Sequence, residues 1–288
     1  MKKNIKRIIS VLLTIVLCLS VSPIVFASYR GDVNYDGATN SYDALLILRC
    51  AVGVVDDEMD LYWADLNGDE VINSSDALCV LQIAVGSDKP ENYNTQETLK
   101  FYADALYSTY FSTVKADYTI ASSGRFGHFT EDGGYILEPF GAEDSGTAVF
   151  EDGYDSDGYT PYDYFVEPWI SPEAVSSATI VKKDNEYIVR INMLEERVTP
   201  EEPWAEVTYL ATGFYFAFGD PEYDEVWNEG GHLSLHNTVI IAHINENGFV
   251  TNYYAEVPFV GETYLTDGYN RMHTDLDGLY TADIKFYF

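Results

Sequence analysis

The stretch DVNYDGATNSYD, Asp32 to Asp43, sets oxygen-bearing side chains at Asp32, Asn34, Asp36, Asn40 and Asp43 around a single glycine, Gly37. Carboxylates this close repel one another unless a cation sits among them. The pattern is not an accident of composition, because it returns 33 residues later. GDVNYDGATNSYDALLILRCAVG (31–53) recurs as ADLNGDEVINSSDALCVLQIAVG (64–86), with Asp65, Asn67, Asp69, Asn73 and Asp76 in the same places. Such an internal repeat means one structural unit built twice.

A 12-residue loop that offers oxygens at positions 1, 3, 5, 7, 9 and 12 suits Ca²⁺, a hard cation that takes six to eight of them. The first loop offers Asp32, Asn34, Asp36, the carbonyl of Ala38, Asn40 (directly or through water) and Asp43. The second offers Asp65, Asn67, Asp69, the carbonyl of Val71, Asn73 and Asp76. Two calcium ions are expected. Asp stands at position 12 where an EF-hand has Glu, so each loop must close more tightly. Each loop runs into an apolar helical stretch that stops near Gly53 or Gly86, and little room is left for a helix before the loop. Position 6 is Gly37 in one loop and Glu70 in the other. That turn favours φ > 0, so the second site is expected to be the weaker.

The two loops, their Asp at position 12, the Asp-Ala-Leu helix starts and the spacing resemble the type I dockerin family over residues 29–87, a fifth of the chain. The resemblance implies an all-α module that docks onto a cohesin of a scaffoldin in a cellulosome, in the service of plant polysaccharide degradation. It also implies that positions 10 and 11 of each loop, Ser41 and Tyr42, then Ser74 and Ser75, face the cohesin. Arg49 and Gln82 follow on the helices. Tyr42 against Ser75 and Arg49 against Gln82 make the two faces unequal.

The first 27 residues read as a signal peptide: Lys2, Lys3, Lys6 and Arg7, an apolar run, then Ala27. The expected address is therefore extracellular, with no membrane anchor after cleavage. Of 16 basic and 47 acidic residues, the leader holds four basic ones, leaving 12 against 47 and a formal charge of −35. So acidic a surface repels nucleic acid and anionic membranes. Cys50 and Cys79 lie in apolar stretches and read as free thiols rather than a disulfide framework.

The organisation expected is a signal peptide over 1–27, the repeat module over 28–88, a linker over 89–96 and an α+β domain over 97–288. In that domain a helix from Thr95 to Tyr118, capped by Thr95, is expected to lie across a curved antiparallel sheet. Hairpins are expected with tips at Asp184-Asn185 and Asn247-Gly248, and strands in GETYLTD and GLYTADIKFYF. DSDG (155–158) and DLDG (275–278) read as acidic turns. HLSLHNTVII alternates as a strand, with His232 and His236 on one face and no Glu beside His232 to make a helical zinc site.

No catalytic residues stand out. Glu222, Glu225 and Glu229 cluster near Trp227, yet no motif selects a pair. The acidic, Gly-rich, aromatic stretch 131–169 suggests sugar binding instead, with Tyr159, Tyr162 and Trp169 as the rings that would cover a pyranose face. The larger domain is thus expected to be a non-catalytic binding or accessory module; the alternative is a glycoside hydrolase.

Overall fold

The computed structural model describes residues 30–54, 61–129, 135–161, 165–199, 208, 211–212, 227–266 and 271–288. The leader, Tyr162, Glu222 and Glu225 lie outside them, as does the side chain of Glu229. The N-terminal part holds helices α1 (Ser41–Ala51), α2 (Leu61–Ala64) and α3 (Ser74–Ala84). Each long helix starts with an Asn N-cap, Asn40 or Asn73, and an Asp three residues on completes a capping box. Each stops at a glycine in the left-handed region, Gly53 at φ +83° and Gly86 at φ +66°. Their N–H groups reach back to Cys50 O (2.8 Å) and Ile83 O (2.9 Å), a C-terminal cap. α1 packs on α3 over a core of Val33, Leu46, Ile47, Trp63, Leu66 and Val80. Cys50 and Cys79 are free and half-buried at its edge.

A 3-10 turn at Pro90–Asn92 leads to α4 (Thr95–Ser112). Its cap is Asn94 rather than Thr95: Asn94 N donates to Glu97 (2.8 Å) and Glu97 N donates back to Asn94 (3.0 Å). The helix also ends six residues before Tyr118. Thr113 and Val114 are β-branched and favour extended backbone, and Val114 N donates to Tyr287 O (2.9 Å), which starts the sheet. Residues from Thr98 to Leu106 and Ser108 to Tyr110 are buried on all sides of α4, as expected of a helix covered on both faces. On one face Trp63 meets Tyr107 edge-on at 5.4 Å. On the other, Val250 N donates to Thr109 Oγ1 (2.8 Å) and Tyr110 OH donates to Val166 O (2.6 Å).

Among the described residues, the larger part is a nine-stranded, wholly antiparallel sheet. Its strands are β1 (Lys115–Phe129), β2 (Tyr135–Val149), β3 (Val175–Lys183), β4 (Glu186–Met193), β5 (Glu196–Val198), β6 (Trp227–Leu235), β7 (Val239–Asn245), β8 (Val250–Thr266) and β9 (Arg271–Tyr287). The order is β2-β1-β9-β8-β7-β4-β3, with β6 joining β8 and β5 joining β6. β8 has two partners on one side: Val250 to Glu256 pair with β7, and Phe259 to Thr266 with β6. Pro258, which has no N–H to give, sits at the change-over. The β3–β4 and β7–β8 hairpins turn where the sequence indicates, at Asp184 (φ +53°) and Gly248 (φ +80°). DLDG is not a turn. Asp275 to Gly278 lie inside β9, paired with β1 and β8 on either side.

The repeat module is not loosely tethered. Arg30 is buried between it and α4. Its guanidinium donates to Leu66 O (3.1 Å), Tyr93 OH (2.7 Å) and Asp88 (3.2 Å), stands 3.5 Å from Asp104, and lies over the Tyr93 and Phe101 rings. Lys100 Nζ pairs with the same Asp104 at 2.5 Å and lies over Trp63. Burial pushes the Asp104 carboxyl up, and the Lys100 and Arg30 cations oppose that shift.

Candidate metal centre

The two loops fold alike because each first aspartate gathers the turn that follows it. Asp32 accepts from Asp36 N (3.1 Å) and Gly37 N (2.8 Å). Asp65 accepts from Gly68 N (2.8 Å), Asp69 N (3.2 Å) and Glu70 N (2.9 Å). Asn34 and Asn67 accept from the N–H groups of Asp36 and Asp69, which accept in turn from Ala38 N and Val71 N. The aspartate at position 12 closes the ring. Asp43 accepts from Val33 N (3.1 Å) and Asn40 N (2.8 Å); Asp76 accepts from Leu66 N (3.0 Å) and Asn73 N (2.9 Å). Here the short side chain suffices, because it sits on the first turn of a helix that its own cap holds in place.

Asn40 and Asn73 have a second duty. Their oxygens accept from Tyr42 N and Ser75 N (both 2.7 Å), and their amide nitrogens donate to Ala38 O (2.7 Å) and Val71 O (2.8 Å). They brace the loop carbonyl at position 7 while capping the helix.

The donor set fits a hard cation. Each loop supplies three carboxylates, amide oxygens and a main-chain carbonyl, with no nitrogen or sulfur donor. Asp43 and Asp76 are buried, and burial pushes their carboxyls up, with Asp32 and Asp36, or Asp65, adding repulsion. A cation bound here removes that penalty.

The backbone corrects one expectation. Glu70 does adopt the left-handed region at φ +64°, as position 6 requires. The first loop, however, has its own non-glycine residue there: Tyr35, at position 4, has φ +57°. The second loop has Gly68 at position 4, at φ +73°. Each loop therefore carries one glycine and one strained residue, and backbone strain does not rank the sites. The glycine has changed place for a reason of packing. A Cβ on Gly68 would stand 3.2 Å from Lys100 Cβ and 3.4 Å from Gln96 O, whereas one on Gly37 would meet nothing within 4 Å.

Ser41, Tyr42, Ser74 and Ser75 are exposed at the starts of α1 and α3; Arg49 is half-buried and Gln82 exposed further along. The sequence reading missed their apolar companions. Leu45 and Leu48 on α1 are 50% and 42% exposed, and Leu78 and Leu81 on α3 are 55% and 40% exposed. Helical spacing held the signal: Ala44, Leu46 and Ile47 already fill the inward face, which leaves Leu45 and Leu48 outward. The repeat places an identical pair on the other helix.

In the larger domain, Tyr159 and Trp169 are exposed rings. Tyr159 closes the DSDG turn, its N–H donating to Asp155 (2.8 Å). Beside it lies a cleft of about 830 Å³ lined by Tyr107, Tyr110, Phe111, Phe150, Asp152 and Tyr154.

Comparison with known proteins adds one result. No curated protein matches the chain. The family model of the Dockerin type I domain matches residues 30–83, which span both loops, α1 and α3 as far as Ile83; residues 30–83 are a type I dockerin domain.

Proposed function

We propose that the chain is an exported cellulosome component whose dockerin, extending to residue 88, holds one calcium ion in each loop and docks onto a cohesin of a scaffoldin. A type I dockerin is a calcium-binding, cohesin-binding domain. The observation that carries the finer reading is the duplicated outward face: a polar pair at each helix start and an exposed leucine pair on each helix, 33 residues apart. Calcium fixes the loops, the loops fix the helix starts, and the helix starts orient Ser41, Tyr42, Ser74 and Ser75 toward the partner. Exposed leucines then supply the apolar centre that a stable interface needs.

The dialysed full chain should retain two calcium equivalents; one or none contradicts the reading. Leu45→Ser with Leu48→Ser should weaken one face, and Leu78→Ser with Leu81→Ser the other. Cohesin affinity unchanged in both double variants and in the quadruple variant that combines them would remove the assignment of the face.

The larger domain, from residue 97, is proposed as a non-catalytic carbohydrate-binding module. Exposed Tyr154, Tyr159 and Trp169, and the aromatic cleft beside the acidic turn, support it. Retention on insoluble cellulose or xylan that falls on Tyr154→Ala or Tyr159→Ala would support it. Release of reducing sugar would replace it with a hydrolase.

A further inference from the structure

On the sheet, far in sequence from the calcium loops, three metal-ligating side chains meet. Glu262 on β8 lies directly opposite Asp275 on β9, so both point to one face. His273, two residues from Asp275, shares that face. Its Nε2 lies 3.1 Å from Glu262 Oε2 and 3.8 Å from Asp275 Oδ1. One ligand atom from each lies within 4.8 Å of the others. Two donors held about 2.1 Å from one ion at a tetrahedral angle stand about 3.4 Å apart, a separation that the two His273 distances bracket.

The surroundings hold the ligands in place. Tyr135 OH donates to the other oxygen of Asp275. It can do so because it crosses Gly127, where a Cβ would collide with the hydroxyl. The ring of Tyr264 packs against His273 at 5.2 Å. Outer partners of this kind fix carboxylate and imidazole orientation in metal sites. His232 on β6 stands opposite Glu262 on the same face.

We propose that Glu262, His273 and Asp275 form a site for a divalent transition-metal ion of the Zn²⁺ class. The imidazole separates it from the dockerin loops: nitrogen favours Zn²⁺ or Co²⁺, and all-oxygen loops favour Ca²⁺. Three protein ligands leave a coordination position open to water or a ligand.

The test uses the full chain without an affinity tag and with Ca²⁺ saturating, so that the loops are filled. Zn²⁺ is then titrated by calorimetry, and Co²⁺ by its visible absorption. One equivalent of Zn²⁺ should bind, with at least tenfold weaker affinity in His273→Gln and in Asp275→Asn. Circular dichroism should be unchanged in both variants. His243→Gln is the control, since His243 pairs at 3.2 Å with the single carboxylate of Glu186; it should leave Zn²⁺ uptake as it was. No uptake by the calcium-loaded chain, or uptake equal in the wild type and both site variants, overturns the proposal.

Discussion

The two dockerin repeats have nearly the same sequence and the same local fold, yet they live in different surroundings. The first loop turns to solvent: Tyr35 is 51% exposed, and a Cβ on Gly37 would meet nothing within 4 Å among the described residues. The second loop is held against the larger domain, with Gly68 on Lys100 and Gln96 and Leu66 O bonded by Arg30. The position of the glycine within the loop follows from this. In the second loop, where both positions need φ > 0, glycine occupies the one that Lys100 and Gln96 crowd, and Glu70 bears the strain at the open one. The lesson is that a repeat can keep its metal geometry while one copy takes on an interface.

The largest test of that contrast is Arg30→Met. It leaves Asp88 short of a cation and Asp104 with Lys100 alone in a buried place, and removing one partner of a buried ion cluster costs about 3–5 kcal/mol. Thermal or denaturant unfolding of the full chain should show the loss. A cost below about 1 kcal/mol would mean that the two parts are not fixed through Arg30. A smaller effect is expected from Gly68→Ala. Left-handed strain of about 1–2 kcal/mol applies to it and to Gly37→Ala alike, but only Gly68→Ala also presses on Lys100. Denaturation should therefore rank Gly68→Ala as the more damaging; equal losses would place the second loop in the open. The smallest effect belongs to Tyr35→Gly and Glu70→Gly, each worth within about 1 kcal/mol of relief. Calcium titration should move by similar amounts in both. A gain confined to Glu70→Gly would restore strain as the difference between the sites.

The repeats were legible in the sequence because calcium ligation fixes residue types at fixed spacing, and because Asn40, Asn73, Gly53 and Gly86 mark helix ends chemically. The hairpins at Asp184 and Gly248 were legible for the same kind of reason, a turn residue between alternating runs. β1 and β2 were not. β2 is an edge strand with most of its residues exposed, so it lacks alternation and tolerates Pro139, Gly141 and Gly146. Its Glu138, Glu143 and Asp144 suit a strand edge that must not pair further. α4 was overrun because Val114 keeps helical spacing, whereas its partner Tyr287 lies at the far end of the chain. The cluster of Glu262, His273 and Asp275 was hidden likewise: its residues sit on two strands, and only their register brings them together.

Calcium-dependent docking is the central claim, and cohesin binding by the full chain measures it directly. In calorimetry with Ca²⁺ present, the chain should bind a cohesin from its own organism, and an excess of chelator should abolish the heat of binding until Ca²⁺ is restored. Binding that persists in chelator, or none with Ca²⁺ present, would contradict the account.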